Sequence, residues 1–278
     1  MSKLKIFKYL KQSKQLSVGL FLLIFLILIA LFGPLFCKNE PYFLYDDMLS
    51  PPSFQYPFGT DGVGCDIFTM VIYGTRTSLK IGVIVALMSC VIGVIVGGIS
   101  GYFGGIADKI ICEFLNIFMM VPSFFLIVLA MAIFGRSINN MIIIMALTSW
   151  MGSARLMRGQ TIAIKEKNFI KNAEIIGESK LSIIFKHIVP NSVFTIVIDL
   201  SMTISGAILS EAGLSFLGMG DPNTVSWGKI IALGRRYLPK CWWISTFPGI
   251  AIIITALAFY LIGDGFNKIV NGKLKYIS

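Results

Sequence analysis

Long apolar runs separated by shorter polar stretches set the pattern of this 278-residue chain. Residues 18–36, 81–107, 114–135, 137–154 and 241–263 contain no Asp, Glu, Lys or Arg. A sixth run, 187–220, is interrupted only by Asp199 and Glu211. Crossing about 30 Å of hydrocarbon takes about 20 helical residues, since each adds about 1.5 Å. The pattern predicts an all-α membrane protein with six spans, at about 17–36, 80–103, 113–135, 137–155, 191–217 and 243–263.

The polar stretches differ in character. Residues 1–16 carry Lys3, Lys5, Lys8, Lys11 and Lys14 among Leu4, Phe7, Tyr9 and Leu10, the composition of a short interfacial helix. A basic start before an apolar run also describes a secretory signal. However, 18–36 is longer than such a core, no small-residue cleavage site follows, and Leu35 and Phe36 before Cys37 suit lipoprotein cleavage poorly. It is expected to be an uncleaved first span, opening a membrane domain over 17–278. Residues 38–77, rich in Pro, Gly, Tyr and Asp, are too polar to span. Residues 156–190 form one long loop, in which Ile170, Ala173, Ile176 and Gly177 fall roughly on one helical face.

Composition agrees. Hydrophobic residues make up 56% of the chain and charged ones 14%, where a soluble domain carries about 25%. A net charge of +10 raises the question of nucleic acid. With the basic start inside the cell, six spans put both termini and the 156–190 loop in the cytoplasm, together with 16 of the 24 Lys and Arg. That is the bias of membrane topology, so lipid and not a polyanion accounts for the basicity. A single His and the lack of interleaved aromatic and basic residues also exclude nucleic acid as a partner.

Within the spans, Gly82, Gly93, Gly97, Gly98 and Gly101 permit close helix approach, spread over more than one face. Pro122 and Pro248 interrupt spans, which neighbouring helices or a cavity must accommodate. On the outer side Trp227, Tyr237, Trp242 and Trp243 suggest an aromatic belt. Arg235 and Arg236 beside them run against the charge bias and suggest a segment folded back on protein.

Candidate chemistry is sparse. Cys37, Cys65, Cys90, Cys112 and Cys241 have no paired ligand spacing and read as small hydrophobes. Three lie on the outer side, which leaves a disulfide open. No phosphate-binding Gly-rich loop ending in Lys and Ser or Thr is present, so ATP is not bound by that route. Asp199 and Glu211, ionisable within an apolar run, are candidate translocation-path residues. For Asp199, pairing with a neighbour is the equal alternative. An ion-coupled carrier relaying protons through these two acids is the reading from another class.

Motifs narrow the choice. The loop reads Asn168-Phe-Ile-Lys-Asn-Ala-Glu-Ile-Ile-Gly177 and then Ile184-Phe-Lys-His-Ile-Val-Pro-Asn191. Phe58-Gly-Thr-Asp-Gly-Val-Gly-Cys-Asp66, Tyr73-Gly-Thr-Arg-Thr-Ser-Leu79, Gly101-Tyr-Phe-Gly-Gly-Ile-Ala-Asp108, Ala154-Arg-Leu-Met-Arg-Gly159, Glu211-Ala-Gly-Leu-Ser-Phe-Leu-Gly218, Trp227-Gly228 and Gly263-Asp-Gly265 accompany it in order. Together these resemble the permease subunits of the dipeptide/oligopeptide/nickel ABC importers over nearly the whole chain. Cys65 stands where such proteins usually carry Arg, Lys171-Asn172 vary the loop signature, and Tyr260 and Asn267 replace the common Asn and Arg.

The resemblance implies a type I ABC importer permease fold with a cytoplasmic coupling helix, in the bacterial inner membrane. It implies ATPase coupling through Phe169, Ile170, Asn172, Ala173, Glu174, Gly177, His187 and Pro190. Phe169 and Ile170 are expected to dock and Gly177 to allow close backbone approach. The outer signature, with Gly59, Thr60, Asp61 and Asp66, is expected in the loops that receive an extracytoplasmic binding protein. A second permease chain and two ATPase subunits complete the assembly. ATP and Mg belong to those ATPases, and this chain is neither an enzyme nor the holder of a cofactor. Small peptides are the expected substrate, with nickel or a metal chelate as the alternative.

Overall fold

The structure, a computed structural model, describes residues 13–274, with side chains as far as Ile269. The interfacial helix expected at 1–16 lies mostly outside that range. No strand forms among the described residues, only the isolated antiparallel bridges Leu44–Cys65 and Thr60–Asp66. The principal helices are α1 (Lys14–Phe32), α2 (Ile67–Phe103), α3 (Gly105–Met119), α4 (Ser123–Phe134), α5 (Ile138–Lys165), α6 (Asn168–Ile175), α7 (Val193–Phe216), α8 (Trp227–Gly234) and α9 (Trp243–Leu274).

Capping decides where helices start, and the uncharged windows miss this. The Ser13 hydroxyl accepts from the Leu16 amide at 3.3 Å and starts α1. The helix α2 starts at Ile67, well before residue 80, because the Asp66 carboxylate accepts from the amides of Phe68 at 3.2 Å and Thr69 at 3.1 Å. Arg76 and Lys80, which bounded the apolar run, ride on a helix already nucleated. Similarly, α5 runs past residue 155 to Lys165, so the connecting loop is shorter than the expected 156–190.

The expected span at 113–135 is two helices. α3 and α4 are bent by 80° across the break. Pro122 has no amide to continue α3, and its carbonyl instead accepts from Phe125 at 3.0 Å to begin α4. Among the described residues four helices, α1, α2, α7 and α9, are long and apolar enough to cross a membrane, and the bent pair makes a fifth candidate. Asn139, Asn140 and Arg155 dilute the apolar run of α5.

The most extensive helix–helix contact among the described residues is that of α2 with α5. Gly93, Gly97 and Gly101 recur every four residues and share the face toward α5, while Gly82 meets Ile208 and Gly98 meets Ile184, so the five glycines do occupy more than one face. A Cβ on Gly93 would stand 2.8 Å from the Ala154 nitrogen, and one on Gly101 would stand 2.7 Å from the Arg158 oxygen. Backbone therefore meets backbone, and Ser89 donates across the pair to the Ala146 carbonyl at 3.1 Å.

The expected aromatic belt is largely core. Trp227 and Trp243 are buried with Ile67, Met70 and Ile244. The Trp227 indole donates to the Val71 carbonyl at 3.0 Å, and that of Trp243 donates to the Thr60 carbonyl at 3.2 Å. The Trp227 ring stitches α8 onto α2 and the Trp243 ring ties the start of α9 to the outer loop at Thr60, which outweighs an interfacial position because the apolar body and the N–H of each are satisfied. Trp242 remains exposed. All five cysteines are free thiols.

Candidate functional site

The loop helix α6 is held from within. Ile170, 0% exposed, and Ala173 are buried among Tyr102, Met157, Ile164, Ile183, Ile184 and Ile188. Their i, i+3 spacing presents one face of α6 to the ends of α2 and α5. The Tyr102 hydroxyl donates to Glu174 Oε1 at 2.7 Å, and Lys165 Nζ donates to the Tyr102 carbonyl at 2.7 Å.

Gly177 closes the helix. The Gly177 amide donates to the Glu174 carbonyl and the Glu178 amide to that of Ala173, both at 3.1 Å, which is a Schellman arrangement. This requires the left-handed backbone that Gly177 adopts, with φ at 81°. No heavy atom lies within 4 Å of a Cβ built there. Within this chain Gly177 is thus a conformational requirement.

The rest of the loop is tied by side chains. His187 Nε2 lies 2.8 Å from Glu178 Oε2, and Ser182 donates to Glu178 Oε1 at 2.6 Å. The Ser182 hydroxyl, followed by His187, holds the Glu178 carboxyl below its ordinary range. Residues Ile183–Ile188 form a π-helical turn, and Pro190 follows, exposed.

The expected coupling residues therefore divide. Ile170 and Ala173 serve this chain's own core, and Ile170 has no surface left to dock. Phe169 and Asn172 face outward. So do Ile175 and Ile176, 83% and 80% exposed. The signal for these two was available: an apolar pair placed directly before a glycine helix stop lies beyond the packed turns.

The outer signature is likewise internal scaffolding. Thr60, fully buried, donates to the Asp47 carbonyl at 2.6 Å and accepts from the Ser50 amide at 2.9 Å. Asp61 accepts from the amides of Val63 at 3.0 Å and Cys65 at 2.8 Å. Gly59 takes a positive φ of 76°, and Asp66 caps α2. Burial, with Asp61 nearby, pushes the Cys65 thiol up to about 11, so it is an inert core thiol. At its surface this scaffold exposes Tyr42, Phe43, Leu44, Met48 and Phe54 alongside Glu40, Asp46, Asp47 and Gln55.

The two intramembrane acids are both bonded across helices. Asp199 on α7 accepts from Ser153 on α5 at 2.5 Å. Glu211 is buried, and its Oε1 accepts from Ser215 and Ser226 at 2.7 Å each. Ser226 also caps α8, so Glu211 anchors the folded-back outer helix to α7. A groove of about 490 Å³ opens between the α3–α4 bend, α5 and α7, and neither acid lines it.

An ion pair was missed by the sequence reading. Arg158 on α5 reaches Asp108 on α3 through Nε at 2.6 Å and Nη2 at 2.7 Å. Ser100 donates to the same carboxylate. The two residues come from motifs fifty positions apart, and a bidentate fork of this kind fixes orientation as well as distance.

Residues 93–276 match the family described as binding-protein-dependent transport system inner membrane component. Residues 5–52 match the N-terminal TM domain of oligopeptide transport permease C. The chain is 35% identical to the oligopeptide transport system permease protein OppC of Bacillus subtilis (strain 168), covering 95% of this chain and 88% of that one. It is 35% identical to the dipeptide transport system permease protein DppC of the same strain, over 96% and 84%. It is 36% identical to the glutathione transport system permease protein GsiD of Pectobacterium atrosepticum, over 96% and 90%. Among solved structures, a chain of the MetNI methionine ABC transporter in inward-facing conformations shares the fold, with a TM-score of 0.57, 19% identity and 73% and 95% coverage. On this evidence the chain belongs to the family of inner membrane components of binding-protein-dependent transport systems.

Proposed function

We propose that this chain forms half of the pore of an ATP-driven importer of small peptides, moved by a separate ATPase through α6. One observation carries the coupling. The helix α6 buries Ile170 and Ala173 in its own chain while leaving Phe169, Ile175 and Ile176 uncovered. Exposed apolar area is unfavourable by about 25 cal/mol per Å², so such a face favours a partner. Its rigid closure at Gly177, and its attachment to α2 through Tyr102 and Glu174, suit a lever and not a flexible tether.

The chain is a transport subunit and not an enzyme. ATP and Mg act on two partner ATPases, whose movement reaches α2 and α5 through the Ile170 core. Both termini lie in the cytoplasm, with six spans when the bent pair α3–α4 counts as one and α5 as another. A second permease chain faces this one. An extracytoplasmic binding protein delivers substrate to the outer segment around residues 38–66. The named substrates of the relatives, oligopeptide, dipeptide and glutathione, support peptides over nickel.

Uptake of labelled di- and oligopeptides and of nickel, in cells lacking this chain, tests the reading. Loss of peptide uptake with nickel unchanged is expected. Unchanged peptide uptake would sink it, and loss of nickel alone would move the chain to the metal branch.

A further inference from the structure

Three large depressions mark the described surface, and they differ in chemistry; the one of about 510 Å³ beside α8 carries Arg136, Asp221, Lys229, Arg235 and Arg236. The one of about 600 Å³ between α1, α2 and α9 is lined by aliphatic and aromatic side chains, with Thr75 as its one hydroxyl. The groove of about 490 Å³ between the α3–α4 bend, α5 and α7 is lined by Ser123, Thr148, Ser149, Thr203 and Ser210, and by no ionisable residue.

Four of the five hydroxyls in the groove at the α3–α4 bend are also free. In an apolar helix a Ser or Thr commonly turns back to the carbonyl four residues earlier. Thr75 does so at 3.0 Å, Ser201 at 2.9 Å and Thr255 at 2.8 Å. In the groove Thr148 does the same, at 3.0 Å. The side chains of Ser123, Ser149, Thr203 and Ser210 make no hydrogen bond among the described residues.

Two glycines face the same space. Gly152 on α5 and Gly206 on α7 line the groove, and no heavy atom lies within 4 Å of a Cβ at either. Glycine inside a helix is less stable than alanine. Unlike Gly93 and Gly101, these two admit no neighbouring backbone. Their smallness keeps the groove open.

We infer that this groove is the face of the chain that contacts the permeant, and that it binds the main chain of a peptide through its free hydroxyls. The inference rests on the peptide-import reading above. A hydroxyl both donates and accepts, so it pairs with an amide N–H or a carbonyl in either chain direction. A lining without charge discriminates little by side-chain charge, while Met119, Met145 and Met151 give it an adaptable apolar floor.

The test uses the complete transporter, with its partner permease, ATPases and binding protein, in proteoliposomes with labelled trialanine. A series Gly206→Ala, Gly206→Leu should lower uptake stepwise, by tenfold or more for Leu, with assembly intact and ATP hydrolysis within twofold. The isosteric double variant Thr203→Val, Ser210→Ala should lower uptake several-fold, and equally for Ala-Asp-Ala and Ala-Lys-Ala. Unchanged uptake in Gly206→Leu and in the double variant would overturn the inference. Loss of uptake together with loss of the co-purifying partner permease would overturn it too, assigning the space to a partner helix. Absence of peptide uptake by the unaltered transporter would instead overturn the peptide reading, and with it the ligand class of the groove.

Discussion

The Tyr102 hydroxyl, one residue from the end of α2, donates to the Glu174 carboxylate of α6 at 2.7 Å. It is the side-chain bond that joins a long membrane helix to the loop helix, and Tyr102 is itself buried. Tyr102→Phe keeps the packing and removes this bond to a charged group, which costs about 1.5–3 kcal/mol. ATP hydrolysis by the assembled transporter should continue while peptides carried per ATP fall several-fold. An unchanged ratio of uptake to hydrolysis would show that the lever does not act through this contact.

At Gly177 the structure demands a left-handed backbone but no space. A non-glycine residue there costs about 1–2 kcal/mol, least for Asn. Uptake should therefore rank Gly177 above Asn above Ala, despite Asn being larger than Ala. The reverse order would mean that a partner's close approach sets the requirement.

Ile170 and Ile175 are five residues apart and should behave in opposite ways. Ile170→Ala empties a fully buried site and should destabilise the protein by about 2–5 kcal/mol. Ile175→Ser and Ile176→Ser, at exposed positions, should leave thermal unfolding nearly unchanged and weaken co-purification of the ATPase. Should the serine variants retain the ATPase fully, the docking face lies elsewhere.

Glu211 separates an anchor from a proton relay. Its Oε1 takes both serine hydroxyls, while Oε2 has no hydrogen-bond partner among the described residues. Glu211→Gln keeps the accepting oxygen and should retain uptake within a few-fold. Glu211→Ala leaves Ser215 and Ser226 without that acceptor and should cost about 1–3 kcal/mol. Uptake abolished by Gln would favour proton transfer instead.

The Glu178 carboxyl is held below its ordinary range by Ser182 and then His187. A carboxyl lowered in the folded state stabilises above its unfolded value of about 4.3 and loses that contribution as pH falls through the lowered value. Protease resistance of residues 176–190 should thus persist from neutral pH to below that value. His187→Ala should move the loss to higher pH, and an unmoved transition would remove His187 from the latch.

The sequence by itself determined that the chain is an α-helical membrane protein, because desolvating backbone in lipid leaves the long uncharged runs no other form. It also determined where the loop helix lies, because an apolar 3.6-residue period and a glycine stop are local signals. What a linear pattern cannot carry is the identity of the neighbour. The periodicity of Ile170, Ala173 and Ile176 marks an apolar face, yet whether this chain or another covers each position depends on where Tyr102 and Ile184 arrive. The same holds for Trp227 and Trp243, whose composition suits a membrane interface but which fill the core because Val71 and Thr60 offer carbonyls there. Asp199 and Glu211 stood out as costly charges, and only the tertiary structure supplied Ser153, Ser215 and Ser226 as their partners. The free hydroxyls of the groove gave no signal at all, since a serine that turns back on its own helix and one that faces open space are written with the same letter.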